Sequence, residues 1–562
     1  MFAISLPNPN TGSAGQVYGI EVAVRTFVRA WCRYTPQDRL FILPEHPHVV
    51  DMFLDLAAME GIPPERCVPI MGDNLPLLRD ITTVFNPDPV ILNMTWLRSM
   101  QPAPSFAICG LAHTMTGMSA ATVASNYVTY PTQAGDSIIC PSHAIKDVLE
   151  THFRLAEEYY NHRFGLPGDK RFTCPVDTPV IPLGIDCEKF ANRATPALRA
   201  KQRAALGVAD DEIVILFFGR MSYFTKSHPL PLLLGAERAA QQLSGKQKIR
   251  LVMMGYFSPD NIAESYHALI KDICPTVRVD VIHKDDPRFD GDFWAGADIF
   301  TSLVDNYQES FGLTPIEAMA AGLPCVITDW DGYRDGVRHG IDGFHIPTLA
   351  PPAGAGMELA YRYFHSGDNY GEYLAATAQS VAIDIDLLAA SFVLLATDAS
   401  RRQMMGAQGR KRAKQLYDWS AIIPQYEALW RAQAEKRRAF AAPATPKGWK
   451  SVHTGYPDPY TVFKSFPTRA IAWDDTITLS ATPEAIATIL RHDMNKFLPA
   501  VMMPVEVSVQ LLAWLALQPN ATCTVRDLLD RVGNSGTPDR VLRTAGWMLK
   551  NGFVRIASNH SD

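Results

Sequence analysis

Nothing in the sequence is apolar over the length a bilayer requires. The first residues, MFAISLP, lack the basic start and long apolar stretch of a secretory signal. No Cys-x-x-Cys pair occurs and the nine cysteines are an odd number, so neither a disulfide framework nor a thiolate metal site is expected. Cys109, Cys140 and Cys325 lie in apolar runs and read as reduced, buried small residues. Positive charge is not in excess: 52 Lys and Arg stand against 58 Asp and Glu, a net charge of −6, which gives no general attraction to nucleic acid or anionic lipid. Repeats at periods of about 20–50 residues are absent, as are long low-complexity tracts. A cytoplasmic protein is expected, with peripheral docking at a membrane left open.

What is present is a chain of 562 residues, too long for one core. Strand-like runs recur at Phe2–Leu6, Leu40–Leu43, Val90–Met94, Phe106–Leu111, Ser137–Cys140 and Val180–Pro182. Helical patterns separate several of them. The clearest spans residues 16–34, where Ile20, Val24, Phe27, Val28 and Trp31 share one face. The alternation restarts near residue 195, with runs at Val214–Phe218, Arg250–Met254, Arg278–Ile282, Asp298–Val304, Cys325–Thr328 and Phe344–Ile346. Strand–helix alternation predicts parallel sheets covered on both faces, here two of them.

The most informative stretch is Asn306–Gly322, NYQESFGLTPIEAMAAG. It joins the end of an apolar strand to the start of a helix, where an open α/β sheet binds its ligand against free backbone N–H groups. Thr314 is the expected N-cap, Pro315 the first helical residue, Glu317 a capping-box partner and Gly322 the C-terminal stop. On that basis alone Glu317 is a cap and Glu309 a solvated loop carboxylate.

Glu309, seven residues, then Glu317 resembles the paired-glutamate motif of the family-4 retaining glycosyltransferases of GT-B fold. The words Ala297–Ile299, Gly322–Val326 and Asp342–Ile346 fit it too. The resemblance implies that Glu309 holds hydroxyls of the donor sugar and Glu317 the nucleotide ribose. It also implies that the backbone of Ser310, Phe311, Gly312, Leu313 and Thr314 meets the sugar and diphosphate.

Other positions gain a role from the same resemblance. Arg220 and Lys226 leave the end of a buried strand, and the family carries an arginine and a lysine there to steady the diphosphate as it departs. The gap between the two is one residue longer than usual. His113 follows another strand and is either a satisfied structural histidine or, as in the family, one aimed at the sugar and its leaving phosphate. Gly15, in the small-residue loop Asn8–Gly15, lines the cleft on this view. Gly255 lies beside the nucleotide, and backbone groups at Ile282 and His283 contact the base. Ser142 is read as a structural cap. Asp329 and Asp331 form an Asp-x-Asp that the resemblance assigns to a loop, not to a metal, and no metal ligands are expected.

The resemblance covers about residues 1–440. It implies an acceptor-side Rossmann-like domain over 1–194, a nucleotide-sugar domain over 195–420 and a helix over 421–440 that crosses back. Residues 441–562 are an appended linker and α+β domain. There, helices at Val507–Leu517, Thr524–Val532 and Thr537–Lys550 followed by a strand at Asn551–Ile556 resemble a winged helix. Near charge balance argues against nucleic-acid binding by this tail. A protein partner or a homodimer contact is expected of it instead.

The implied activity is metal-independent, retaining transfer from a nucleotide-sugar, a UDP- or GDP-sugar, to an unidentified acceptor hydroxyl on a glycan, lipid-linked or small molecule. No cofactor is implied. Two alternatives stay open: a GT-B phosphorylase or synthase, and a non-enzymatic nucleotide-sugar sensor signalling through the C-terminal domain.

Overall fold

The computed structural model describes residues 1–7, 19–101, 105–289, 291–439, 451–495 and 501–556. It divides into two compact units, 1–447 and 448–562.

The first unit holds two six-stranded parallel sheets. The first contains β1 (Phe2–Leu6), β2 (Leu40–Pro44), β3 (Cys67–Pro69), β4 (Thr83–Asn86), β5 (Ala107–Leu111) and β6 (Ser137–Ile139), in the order β3-β2-β1-β4-β5-β6. The second contains β7 (Glu212–Met221), β8 (Lys248–Phe257), β9 (Arg278–His283), β10 (Ile299–Ser302), β11 (Cys325–Thr328) and β12 (Gly343–Ile346), in the order β12-β11-β10-β7-β8-β9. Both are doubly wound, and together they give the GT-B architecture. Side chains alternate between two cores on each sheet, as the two-residue period of a strand requires. Phe2, Ile4 and Leu6 face one way and Ala3 the other. Val214 and Leu216 oppose Ile213, Ile215 and Phe217.

Several expected strands move. The run at Val90–Met94 is not a strand: β4 ends at Asn86, and a helix spans Leu92–Ser99. Pro87 and Pro89 lack the N–H that a parallel ladder needs, so pairing stops before them. The apolar residues beyond follow the helical period instead, burying Met94, Thr95 and Arg98. Val180 makes one bridge to Cys140 and no named strand. The short edge strand β3 was not anticipated, because three residues ending in proline carry almost no pattern. β7 and β8 run through to Met221 and Phe257, so Arg220 and Gly255 lie inside strands and not after them.

Two segments cross between the sheets side by side. Ile185 N–H donates to the Tyr417 carbonyl at 2.8 Å, and Trp419 N–H donates to the Ile185 carbonyl at 3.1 Å. A Cβ on Gly184 would lie 2.4 Å from the Trp419 ring, so glycine is required there. The helix Trp419–Ala439 then lies on the first sheet, burying Tyr426 and Trp430 among Phe2, Phe27 and Phe85. Gln433 Nε2 donates to the Gly135 carbonyl at 2.8 Å and to Ser137 Oγ at 2.9 Å.

The second unit has a core of its own, built around Ile477, Leu511, Leu515, Val525, Val541 and Met548. Helices at Val505–Ala516, Val525–Val532 and Pro538–Lys550 match the three expected ones within a few residues. Thr524 caps the second in a full capping box with Asp527. The antiparallel sheet runs Thr522–Thr524, Thr476–Leu479, Val554–Ile556. Its central strand therefore comes from before the helices, a connection the winged-helix resemblance did not include. All nine cysteines are free. No helix among the described residues is long and apolar enough to cross a membrane.

Under the first sheet, Arg98 and Asp136 form a buried bidentate pair, with both side chains at most 3% exposed. Asp136 also accepts from Ile108 N–H at 3.0 Å and Gln133 N–H at 2.8 Å. Asp136→Ala strands a buried guanidinium and two amides. It is expected to destabilise the first unit by roughly 3–5 kcal/mol, read as a fall of the unfolding midpoint in denaturant. An unchanged midpoint would show the pair to be dispensable.

Candidate active site

The second sheet reverses its strand order between β10 and β7, and chains leaving such a switch point form the ligand crevice of an open α/β sheet. Three loops meet there, after β7, β10 and β11. Asn306, buried, ties them together. Its Nδ2 donates to the Phe224 carbonyl at 2.7 Å, its Oδ1 accepts from Gln308 N–H at 2.9 Å, and its carbonyl accepts from Trp330 Nε1 at 3.1 Å. Glycines let the loops close. A Cβ on Gly332 would sit 2.6 Å from Phe311 Cα, and one on Gly312 would sit 2.0 Å from the Tyr333 ring.

Lys226 Nζ and Glu309 Oε2 form an ion pair across this junction, with side chains 15% and 17% exposed. Burial pulls the lysine pKa down, but the Glu309 carboxylate more than reverses this and holds it above the usual value. Burial pushes Glu309 up; Lys226 and the Ser310 and Phe311 amides outweigh that and hold it below the usual carboxylate range. Both groups are therefore charged. Arg220 donates through one terminal nitrogen to the Thr225 carbonyl at 2.9 Å and Gln308 Oε1 at 3.1 Å, and its buried Nε has no partner among the described residues.

The first sheet reaches the same loop. Thr114 Oγ1 donates to the Gln308 carbonyl at 2.6 Å, and Ser142 Oγ donates to the Ser310 carbonyl at 2.7 Å. Ser142 also accepts from Ile145 N–H at the start of the helix His143–Phe164. His113, one residue before Thr114, is thereby carried next to Glu309's loop. Its Nε2 lies 2.8 Å from the Pro87 carbonyl. A carbonyl only accepts, so Nε2 carries the proton, and burial lowers the ring's pKa. The neutral imidazole thus leaves Nδ1 as an acceptor. An accepting nitrogen suits a sugar hydroxyl and not a phosphate oxygen, which has no proton to donate.

The helix Leu313–Ala321 also departs from expectation. Its N-cap is Gly312, at φ +86°, so Thr314 is the second helical residue and Pro315 the third. Thr314 Oγ1 is buried without a partner among the described residues. Glu317 is therefore one turn inside the helix and not in a capping box. It is half-buried, and burial, only partly offset by Lys189, raises its pKa to about 7. Gly322, at φ +85°, closes the helix as expected.

The remaining expected residues lie at the ends of β8 and β9, beyond β7. A Cβ on Gly255 would fall 1.8 Å from the Gly219 carbonyl oxygen, so its glycine is demanded by the neighbouring strand, and its own carbonyl accepts from Lys284 N–H at 2.7 Å. The Ile282 side chain is fully buried, which leaves its backbone for any contact. His283 Nδ1 is 3.1 Å from Asp285. Gly15 lies outside the described residues. Asp329 pairs with Arg334 at 3.1 Å, while Asp331 accepts from Tyr333 N–H at 3.3 Å. Among the described residues no group of three or more His, Cys, Asp or Glu side chains could hold a metal ion. Sequence reasoning gave no role to Asn306 or Gln308. Their hydrogen bonds run to loops remote in the chain, and no local pattern announces them.

Residues 199–353, which include this junction, match the family model described as Glycosyl transferases group 1. The second sheet with its ion pair is thus a glycosyltransferase group 1 domain, within the GT-B architecture described above. The chain is 26% identical to a D-inositol 3-phosphate glycosyltransferase of Geodermatophilus obscurus, over 48% of this chain and 51% of that protein. It is 29% identical to a protein of the same name from Kineococcus radiotolerans, over 47% and 54%. The chain spans about half the length of the curated relatives it matches. Among solved structures, Anabaena HepE in complex with UDP and glucose aligns with a TM-score of 0.47 and 16% identity, covering 77% of this chain and 100% of that one.

Glu317 gives a pH signature. The folded protein keeps its proton to about pH 7, whereas the unfolded chain releases it near the ordinary value of 4.5. Between those limits the folded state binds more protons, so this group's contribution makes the protein less stable as pH rises, levelling off above pH 7. Glu317→Gln removes that slope, worth roughly 3 kcal/mol at most. The variant's unfolding temperature should match the wild type near pH 4 and exceed it by a few degrees at pH 8. A gap that does not change with pH would refute the assignment.

Proposed function

We propose that the protein is a retaining, metal-independent glycosyltransferase that moves a hexosyl group from a UDP- or GDP-sugar to an acceptor hydroxyl. The observation that carries this is the Lys226–Glu309 pair beside Arg220 at the switch point of a group 1 glycosyltransferase domain. The cations suit a diphosphate and the carboxylate suits sugar hydroxyls.

The chemistry needs little from the protein beyond placement and charge. The acceptor oxygen bonds to the anomeric carbon while the carbon–oxygen bond to diphosphate breaks. The electron pair leaves with the diphosphate, whose oxygen takes the acceptor's proton on the same face, so configuration is retained. Arg220 and Lys226 stabilise the charge that grows on the leaving group. Glu309 accepts from sugar hydroxyls, His113 Nδ1 accepts from another, and Glu317 takes the ribose hydroxyls. The amides of Gly312 to Thr314 face the sugar and diphosphate, those of Ser310 and Phe311 being spent on the Glu309 carboxylate, while Gly255, Ile282 and His283 border the nucleotide. The nucleotide-sugar is substrate and no cofactor takes part. The acceptor enters from the first sheet. A protein partner or a second copy of the chain is the proposed use of the second unit.

The test is a panel of UDP- and GDP-sugars scored by thermal shift and by release of the nucleoside diphosphate, with the product's anomeric configuration read by NMR. Activity should survive EDTA. Arg220→Ala and Glu309→Gln should each cut transfer by about 10²–10³-fold while unfolding within a few degrees of wild type. Full turnover by both variants would reject the assignments, and turnover that needs phosphate but no nucleotide would show a phosphorylase.

A further inference from the structure

Asp331 has no part in the scheme above, yet it sits inside the same junction under strain. Its φ of +35° is in the left-handed region, where a side chain costs about 1–2 kcal/mol that glycine avoids. The chain does not place Gly332 at that angle, because Gly332 is needed one residue later to press against the Phe311 and Ser310 backbone. Trp330 fixes the same loop, donating to the Asn306 carbonyl and packing on Tyr307 with centroids 5.1 Å apart. Asp331 is therefore held against Glu309's loop. Oδ1 accepts from Tyr333 N–H at 3.3 Å, and Oδ2 is buried with no partner among the described residues. The ionisable groups that act on it are Glu309, Lys226 and the Tyr333 phenol. Burial, then the neighbouring Glu309 charge, keeps its proton on well above the usual range.

An unsatisfied polar atom held at a strained position calls for a ligand. Beside the ionised Glu309, which only accepts, Asp331 offers an O–H donor. Adjacent sugar hydroxyls each donate and accept, so the pair of acids matches a vicinal diol. A sugar carrying its own carboxylate would bring a further negative charge against Glu309, with Lys226 and Arg220 already committed to diphosphate. We infer that Asp331 is a second contact to the transferred sugar, and that with Glu309 it selects a neutral hexosyl group over a uronosyl one. This rests on the nucleotide-sugar assignment above.

The experiment is equilibrium binding to the full-length protein of UDP, UDP-glucose and UDP-glucuronate, with GDP and GDP-mannose alongside. Wild type should bind the neutral nucleotide-sugar of its preferred base at least tenfold tighter than the bare diphosphate, and UDP-glucuronate no better than UDP. Asp331→Gly relieves the backbone and removes the carboxyl, so it should lose the tenfold sugar-dependent gain while its affinity for the bare diphosphate stays within twofold. Asp331→Asn keeps a donor without a charge. It should retain most of the gain and lose none of it as pH rises, whereas the wild type's gain falls once Asp331 ionises beside Glu309. Should the glycine variant not fold, the asparagine pH series decides alone. An unchanged gain in Asp331→Gly, or parallel pH profiles for wild type and Asp331→Asn, would overturn the inference and leave the nucleotide-sugar assignment standing. Failure of wild type to bind any of these nucleotides would overturn both.

Discussion

Lys226 and Glu309 come from the ends of strands that are neighbours in the sheet but far apart in sequence, and they meet where strand order reverses. Each is mostly withdrawn from water, so each would be costly alone. Together they hold the loops after β7 and β10 at one spacing and keep each other charged. Whatever displaces this pairing has to satisfy an ammonium and a carboxylate at once. A simple anion answers only the lysine, and a neutral sugar answers only the glutamate. A molecule with phosphate and hydroxyls a few bonds apart answers both, which is why the pair constrains the ligand more than either residue does.

Around the pair, the geometry is set by uncharged groups. Asn306 connects three loops through its side chain and carbonyl, and Gln308 receives Arg220 on one side and Thr114 on the other. The contact from Thr114 brings His113 to the junction, and the Pro87 carbonyl decides which ring nitrogen is free. Gly312 and Gly332 make room by lacking a Cβ, and without them the loops after β10 and β11 could not touch. Positioning is thus distributed over backbone carbonyls, amides and small residues. The charged groups are the part a ligand would feel, and the scaffold is what aims them.

The strand–helix alternation and the two sheets were legible because hydrophobic period survives in sequence. Lys226 and Glu309 were singled out only through resemblance, and their pairing was not foreseen, since nothing local links residue 226 to residue 309. Errors arose where one-dimensional signals compete. Val90–Met94 is apolar enough for a strand, but the prolines ahead of it and the spacing behind it decide for a helix. Thr314 and Glu317 have the spacing of a capping box, yet Gly312 at positive φ starts the helix earlier and leaves Glu317 half-buried one turn inside it, with a raised pKa. Gly255 was expected beside the nucleotide, a place that gives no reason for glycine; the contact that demands one is the Gly219 carbonyl of the next strand. The central strand of the second unit, four residues long, was invisible because its pairing partners follow it by more than forty residues.

The two glutamates illustrate how one short segment can hold opposite protonation states. Glu309 has a lysine and two amides, so burial does not prevent its ionisation. Glu317, on the helix that follows, has burial with only the weak influence of Lys189, so it keeps its proton to about pH 7. A carboxylate that must accept from vicinal hydroxyls is best ionised, and hydroxyls supplied by a ligand would stabilise that form. On the proposed scheme, a ligand at Glu317 would have to draw off a proton, whereas at Glu309 the charge already exists and would only be re-partnered. In that scheme Glu317 would couple ligand arrival to loss of a proton, and Glu309 would couple it to release of Lys226. Both couplings favour a ligand that reaches the two ends of the helix turn together, since one that touched a single acid would meet only half of the compensation.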